Sequence, residues 1–279
     1  MTETFTTPDG LTLSYERRGS GPLLVCHPGG PGGSAAEFRD FGGLDDTFEL
    51  VLLSPRGSSG SDAADDYRLA AYVADIEALR EHLGVEQLDL LGFSHGGIVA
   101  IAYAAAFWSR VSRLLLVDTL ACWGDEAEGA MQRAIETRRD KPWFEEAQKA
   151  IAEEQAGEFS SIEELVANLQ RQAPLYFHRW EGNEQTGREL FADFVQSEPL
   201  HHFNTVEFPT FDLRGELRTI AAPTLVVVGD DDLIAGPVCA DTMLRELADA
   251  RLVTIRDAGH FVYVEQPAAF RAALTDFLL

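Results

Sequence analysis

Along most of this 279-residue chain, short apolar runs alternate with amphipathic helical patterns. The runs LLVCHP, LDLLGF and TLVVVG are almost uniformly apolar, which is typical of strands buried on both faces of a parallel sheet. Residues 68–83 place their apolar side chains on one helical stripe, and Gly84 follows as a stop signal. The alternation predicts an α/β fold with a mostly parallel sheet and helices on both of its faces.

One region interrupts this alternation. Residues 121–210 show helical patterns without a buried strand, and the run SIEELVANLQRQA has Ser161 and Glu164 at the spacing of a capping box. We therefore predict an α/β core formed by residues 1–120 and 211–279. Residues 121–210 would be a helical cap inserted between two core strands, over the carboxyl edge of the sheet.

Composition and charge narrow the class of protein. The chain has 46 Asp and Glu against 22 Lys and Arg, a formal net charge of −24. Such a surface repels phosphate backbones and anionic lipid, so we expect neither nucleic acid nor a membrane as a partner. No apolar run approaches the roughly 20 residues of a membrane span, and no signal peptide is recognisable.

The cysteines point to a reducing compartment. Cys26, Cys122 and Cys239 are odd in number, far apart and without the spacing of metal ligands. We therefore expect a cytoplasmic protein with neither a disulfide framework nor a zinc site. We also expect no metal and no cofactor, because no cluster of His, Asp and Glu has metal-ligand spacing and GGPGG lacks the Lys-Ser/Thr of a phosphate loop. The sequence does not indicate an oligomeric state.

The stretch GFSHG places Ser94 between two glycines, where a buried strand gives way to a helix. The G-x-S-x-G pattern alone arises often by chance, but this setting fits a sharp turn that lifts a serine hydroxyl above the sheet edge. The hydroxyl would then face the N-terminal end of a helix, where developing negative charge is stabilised. We predict that Ser94 is a nucleophile.

A serine nucleophile needs a base to take its proton and an acid to orient that base. His260 follows the last strand pattern, and Asp232 follows the strand TLVVVG. The chain order Ser, Asp, His is the one expected for this architecture. Other positions for the acid stay open: the neighbours Asp230 and Asp231, and Asp118 after the run LLLV.

These residues make the chain similar to α/β-hydrolase fold proteins along essentially its full length. Within that fold, HPGGPGGS resembles the oxyanion loop of the proline iminopeptidase family, and SPRGSSGS resembles the same family's arginine–glycine loop. The resemblance implies an oxyanion hole formed by the backbone N–H of Gly29 or Gly30 together with that of His95. Because Pro28 separates His27 from the first glycine, the choice between the two glycines stays open.

The resemblance also implies residues that recognise the substrate. The segment FNTVEFP resembles the family segment whose glutamate holds the substrate amine, which implies this role for Glu207. The family's second acid corresponds to Asp230, and Glu181 is a further candidate. Residues 121–210 carry 18 Asp and Glu against 8 Lys and Arg, which suits either an ammonium group or solubility alone.

Three functions follow from this sequence. The leading prediction is a serine hydrolase with a Ser94, His260 and Asp232 triad, similar to a proline iminopeptidase, that removes N-terminal residues from short peptides. The same triad would also suit a small-molecule carboxylesterase, a lactonase or a C–C bond hydrolase. The third is a protein of the same fold that binds a ligand without turnover.

Overall fold

A central sheet of eight strands organises the computed structural model, which describes residues 2–157 and 159–279. The strands are β1 (Thr2–Thr6), β2 (Thr12–Gly19), β3 (Leu23–His27), β4 (Glu49–Ser54), β5 (Leu88–Phe93), β6 (Val111–Val117), β7 (Thr224–Gly229) and β8 (Ala250–Ile255). They lie in the order β1-β2-β4-β3-β5-β6-β7-β8. Strand β2 pairs antiparallel with β1 and β4, and the remaining neighbours pair in parallel.

Helices surround this sheet. They are α1 (Leu69–Leu83), α2 (His95–Ala106), α3 (Asp125–Glu136), α4 (Phe144–Ala156), α5 (Ile162–Gln172), α6 (Glu184–Leu190), α7 (Glu198–His202), α8 (Arg214–Leu217), α9 (Pro237–Glu246), α10 (Val262–Glu265) and α11 (Pro267–Leu278). Within the described residues, none of them is long and apolar enough to cross a membrane.

Both faces of the sheet are covered by apolar side chains. In β6, Leu114 belongs to the buried cluster that contains Ile101 of α2, whereas the next residue, Leu115, belongs to the cluster that contains Leu274 of α11. Successive strand residues point to opposite faces, so a strand covered on both sides is apolar at every position. The predicted α/β class, with a mostly parallel sheet between helices, is confirmed.

A buried ion pair holds the loop after β4. The Arg56 side chain is 1% exposed and donates from Nε and Nη2 to the two carboxylate oxygens of Asp75 in α1, each at 2.7 Å. Its Nη1 donates to Asp9 at 3.1 Å and to the Asp66 carbonyl oxygen at 2.9 Å. This bidentate geometry satisfies both charges and ties the loop to α1 and to the N-terminal turn.

The chain between β6 and β7 is mainly helical and contains α3 to α8. Ser161 caps α5, and its side chain accepts the Glu164 N–H at 3.3 Å. This helical segment meets the carboxyl end of the sheet, where the Tyr176 carbonyl oxygen accepts the N–H of His260 at 2.7 Å. It therefore covers the sheet edge at which the predicted triad residues lie.

Candidate active site

Ser94 occupies a sharp turn between β5 and α2. Its φ of 51° and ψ of −121° lie in a region that residues with a side chain rarely adopt. A Cβ atom on Gly92 would lie 2.3 Å from the Gly96 carbonyl oxygen, and one on Gly96 would lie 2.3 Å from the His27 carbonyl oxygen. Glycine at position 92 lets β5 approach α2 this closely, and glycine at position 96 lets α2 approach the end of β3.

Ser94, His260 and Asp232 form one hydrogen-bonded series. The Ser94 Oγ lies 2.9 Å from His260 Nε2, and His260 Nδ1 lies 3.0 Å from Asp232 Oδ2. The other Asp232 oxygen accepts the N–H groups of Ile234 at 2.8 Å and Ala235 at 3.2 Å. His260 is buried, and the Asp232 side chain is fully buried. This arrangement can pass a proton from the hydroxyl to the imidazole while the carboxylate stabilises the imidazolium.

Parallel strands explain how residues far apart in the chain meet here. Ser94 follows β5, Asp232 follows β7 and His260 follows β8. These strands run in the same direction, so their carboxyl ends share one edge of the sheet, where ligands commonly bind in open α/β folds. The catalytic roles of the three residues stay predictions.

The alternative acid, Asp118, lies beside Asp232 but makes a different hydrogen bond. Its Oδ1 accepts the Gly229 N–H at 2.9 Å. Burial raises the pKa of Asp118 well above its usual range, and the negative charge of Asp232 raises it further. His260 Nδ1 contacts Asp232, whereas the Asp118 hydrogen bond goes to the Gly229 backbone, so the geometry favours Asp232 as the acid.

Replacing each acid with its amide separates the two candidates. We expect Asp232→Asn to lower kcat about 10⁴-fold, because the amide would hold the His260 ring in the wrong tautomer. Asp118→Asn should leave kcat within about threefold, since it removes no charge when the carboxyl is neutral. The measurement is steady-state kinetics of both variants on one chromogenic ester. The opposite order of losses would assign the acid to Asp118.

The candidates for the predicted oxyanion hole are the backbone N–H groups of Gly29, Gly30 and His95. These three groups differ in their hydrogen-bond acceptors. The Gly29 N–H donates to the buried carboxyl of Glu37 at 2.6 Å. No acceptor for the Gly30 N–H is present in the part of the chain that the structure describes. His95 is the first residue of α2, where N–H groups have no partner within the helix. The geometry therefore favours Gly30 with His95 over Gly29.

Two cavities meet at Ser94. The first, which we call the apolar chamber, has a volume of about 470 Å³ and is lined mainly by apolar side chains. Its lining includes Gly30, Ser94, His95, Ile98, Leu120, Trp123, Glu128, Met131, Ile135, Ile151, Phe203, Phe208 and Ile234. The second, which we call the small cavity, has a volume of about 90 Å³. Its lining includes Gly30, Glu37, Phe93, Ser94, Glu154, Tyr176, Phe191, His260 and Phe261.

The structure does not bring Glu207 to the triad. Its carboxylate accepts the N–H of Leu69, the first residue of α1, at 3.1 Å, and lies 3.6 Å from His202 Nε2. Glu207 thus supplies a hydrogen-bond acceptor to a helix N-terminus, where the backbone N–H groups lack partners and a negative charge is favourable. The predicted contact with a substrate amine has no support in this placement.

The other two predicted substrate residues also lie away from Ser94. Asp230 is exposed on the outer side of the turn after β7, and its Oδ1 accepts the Ala258 N–H at 3.4 Å. Glu181 is exposed and lies 3.9 Å from the Lys141 ammonium nitrogen. Neither side chain lines the apolar chamber or the small cavity. Packing turns both carboxylates to solvent, so their predicted contact with a substrate has no support in this placement.

Glu154 is a carboxylate of the site that the sequence analysis missed. It lies near the end of α4 and lines the small cavity together with Ser94 and His260. No motif or spacing distinguishes Glu154 in the sequence, because α4 has the pattern of an ordinary acidic amphipathic helix. Only the position of α4 beside the small cavity distinguishes Glu154 from the other acids of the helical segment.

Comparison with known proteins identifies the family. The chain matches the α/β-hydrolase fold family over residues 22–267. It is 29% identical over 269 residues to the proline iminopeptidase PfmaB of Pestalotiopsis fici, with 94% of each chain covered. The chain therefore belongs to the α/β-hydrolase fold family and is a hydrolase. The predicted resemblance to proline iminopeptidases is confirmed.

Solved structures agree with this fold. A hydrolase from Pseudomonas aeruginosa PA01 is 26% identical with a TM-score of 0.76, covering 99% of this chain and 98% of that one. An esterase from Exiguobacterium antarcticum is 21% identical, also with a TM-score of 0.76, and 99% of both chains is covered. The second likeness shows the fold alone.

Proposed function

We propose that this hydrolase works through a covalent acyl-enzyme formed on Ser94. His260 takes the hydroxyl proton as Ser94 Oγ attacks the substrate carbonyl carbon, and the carbonyl oxygen becomes an anion that the Gly30 and His95 N–H groups stabilise. His260 then donates the proton to the leaving group, and a water molecule repeats the sequence to release the acyl group. The 2.9 Å contact between Ser94 Oγ and His260 Nε2 carries this proposal.

We infer that the substrates are short peptides with a free N-terminus, the class that the name proline iminopeptidase gives to the relative PfmaB. The N-terminal ammonium of such a peptide lies close to the scissile bond and needs a negative partner in a site that excludes water. Glu154 is placed to supply it, since it borders the same small cavity as the nucleophile.

The surroundings of Glu154 suit this role. Its two carboxylate oxygens accept from Gln172 Nε2 at 2.6 Å and from Asn204 Nδ2 at 3.0 Å. Both donors are neutral amides, so they orient the carboxylate without neutralising its charge. The negative charge of Glu154 acts close to His260. Burial raises the pKa of Tyr176, the charge of Glu154 raises it further, and the Tyr176 ring lies 5.6 Å from the His260 ring.

The test compares amine-bearing and uncharged substrates. Prolyl and alanyl p-nitroanilides should be hydrolysed, and their N-acetylated forms should not. Glu154→Gln should lower kcat/KM on the aminoacyl anilides by about 10- to 100-fold, the value of a hydrogen bond to a charged group. The same variant should change kcat/KM on p-nitrophenyl butyrate by less than about threefold, because no ammonium is lost there.

Glu207→Gln is the matched control for this measurement. Its carboxylate binds the N-terminus of α1, so both substrates should keep similar kcat/KM values in that variant. A selective loss with Glu207→Gln would restore the role implied by the family motif. Equal losses of anilide and ester hydrolysis in Glu154→Gln would reject an amine-binding role for Glu154.

An esterase is the second candidate, and the lining of the apolar chamber favours it. Ile98, Leu120 and Trp123 lie beside Ser94 there, and such surfaces accept uncharged acyl or alcohol groups. Hydrolysis of p-nitrophenyl esters without hydrolysis of aminoacyl anilides would support an esterase, a lactonase or a C–C bond hydrolase. Binding without any turnover would support a ligand-binding protein.

Location and partners complete the proposal. We place the reaction in the cytoplasm, because Cys26, Cys122 and Cys239 are all free thiols and two of them are buried. The partner is a small molecule or a short peptide. The net charge of −24 supports neither a nucleic-acid nor an anionic-membrane partner.

A further inference from the structure

Glu37 is a buried carboxyl beside the nucleophile that the proposed acyl transfer does not use. It lies in a short 3₁₀ helix, Ala35–Phe38, that directly follows the oxyanion loop HPGGPGGS, residues 27–34. Glu37 is 8% exposed and lines the small cavity with Ser94 and His260. A buried carboxyl at such a place needs a structural or functional reason, because burial disfavours its charged form.

The oxyanion loop is folded around this carboxyl. Glu37 Oε2 accepts the Gly29 N–H at 2.6 Å. A Cβ atom on Gly33 would lie 3.2 Å from the same oxygen and 3.0 Å from the Gly29 carbonyl oxygen. The Glu37 backbone is also fixed, because its carbonyl oxygen accepts a hydrogen bond from the Tyr263 hydroxyl of α10 at 3.3 Å.

The same short segment is also tied to the helical segment between β6 and β7. The Ser34 hydroxyl donates to the carboxylate of Asp193, and Arg39 Nη1 donates to Glu189 Oε2 at 2.6 Å. Glu37 lies between these two attachments. Its position therefore depends on the docking of the helical segment as well as on the core.

We propose that Glu37 is a positioning residue, whose carboxyl holds the Gly29 peptide so that the adjacent Gly30 N–H faces the oxyanion formed at Ser94. This inference rests on the proposed function, because only an acyl-transfer reaction forms that oxyanion. Without the Glu37 acceptor, the Gly29 N–H would lose its partner and the loop could shift. A displacement of about 1 Å in a positioned group can lower the rate about 100-fold.

The charge of Glu37 supplies a readout that a purely structural role would not affect. Burial raises the pKa of Glu37 to about 8, the Gly29 hydrogen bond opposes this rise, and the charge of Asp193 adds to it. The charged or titratable groups around it are Asp193 of the helical segment, Tyr263 of α10, Glu154 of α4, His260 in the small cavity and Arg39 on its own segment.

The direction of the pH effect follows from this ionisation. Well below pH 8 the carboxyl is mostly neutral and only accepts the Gly29 N–H. As the pH rises through about 8, Glu37 becomes an anion beside the position of the developing oxyanion and repels it. The wild-type kcat/KM should therefore fall above pH 8, whereas Glu37→Gln, which has an amide at this position, should not show this fall.

The experiment compares Glu37→Gln, Glu37→Leu and, as a control, Asp46→Asn, an exposed acid that follows the same loop region. Kinetics on p-nitrophenyl butyrate are measured from pH 6 to 10, together with thermal unfolding of each variant. At pH 7, Glu37→Leu should lower kcat about 10- to 100-fold with KM within about threefold. Glu37→Gln and Asp46→Asn should keep kcat within about threefold of wild type.

Each result supports or overturns the role. Three results together support the positioning role of Glu37: a lower kcat in Glu37→Leu, a kcat close to wild type in Glu37→Gln, and no fall of kcat/KM above pH 8 in Glu37→Gln. Should Glu37→Leu be inactive only because it unfolds, the alkaline limb of Glu37→Gln decides, and a limb identical to wild type overturns the role. An unchanged kcat in a folded Glu37→Leu variant overturns the positioning role. If Ser94→Ala still abolishes turnover in that case, the proposed function stands without it. Absence of any Ser94-dependent turnover in wild type overturns both.

Discussion

Ser94→Ala should abolish the turnover of every substrate that the wild type hydrolyses, with a fall in kcat of about 10⁴- to 10⁶-fold. The expected loss is this large because without the Oγ there is no acyl-enzyme, and His260 then has no hydroxyl to deprotonate. The backbone should tolerate the change, since alanine and serine have nearly the same difficulty in adopting a φ of 51°. The measurements are kcat on p-nitrophenyl butyrate and covalent labelling by a fluorophosphonate, followed by intact mass.

Ser112→Ala is the matched control for this experiment. Ser112 is partly buried at the start of β6 and donates to Asp89 at 2.6 Å, so its loss tests the effect of removing a hydroxyl elsewhere in the sheet. We expect the control to keep wild-type turnover and labelling. Turnover within tenfold of wild type in folded Ser94→Ala would reject the proposed mechanism.

Arg56→Met should lower the free energy of unfolding by about 3–5 kcal/mol, the usual cost of removing one partner from a buried ion pair. The bidentate contact with Asp75 lies in the interior, where each side chain is 1% exposed. Burial already raises the pKa of Asp75 above its usual value, while Arg56 opposes that rise. Without Arg56, the carboxylate would be left in the interior with its charge unpaired.

The sign of the pH dependence checks this reasoning. In Arg56→Met the pKa of Asp75 should be higher in the folded state than in the unfolded state, so the folded state binds more protons. The stability of the variant relative to wild type should therefore decrease as the pH rises through that window, and its deficit should be smaller at low pH. Denaturant unfolding followed by circular dichroism, at several pH values, measures both effects.

Two further variants complete the comparison. The double variant Arg56→Met, Asp75→Leu removes both charges and should be more stable than Arg56→Met alone. Arg68→Met breaks the exposed pair with Asp66 and should leave stability unchanged within error. A loss below about 1 kcal/mol in Arg56→Met would contradict a structural role for the buried pair.

The fold could be predicted from the sequence, and Ser94, Asp232 and His260 could be singled out, because both inferences start from local signals. Uniformly apolar strands, helical stripes and stop glycines are properties of short segments. The turn around Ser94 is partly local: Gly92 is required by the close approach of β5 to the helix that follows it, whereas Gly96 is required by the contact of that helix with the His27 carbonyl oxygen of β3. Chain order then placed Asp232 and His260 at the same sheet edge.

The substrate side of the site could not be predicted in the same way. Glu207 matched a family segment, yet its carboxylate binds the Leu69 N–H at the start of α1. Glu154 matched no family segment, yet it lines the small cavity together with Ser94. A carboxylate can serve a helix N-terminus, an ion pair or a substrate equally well, and its residue type does not distinguish these uses.

Neighbouring residues set hydrophobic periodicity and tight turns, so the α/β class and the sharp turn at Ser94 follow from the amino-acid order alone. Packing in three dimensions was needed to show that the Gly29 N–H donates to Glu37, whereas no acceptor for the Gly30 N–H lies among the described residues. It was also needed to show that Glu37 and Glu154 line the same cavity as Ser94. These contacts depend on the packing of the helical segment and the oxyanion loop against the sheet edge. Such packing brings together residues that are distant in the chain, and it produces no periodic pattern in the sequence.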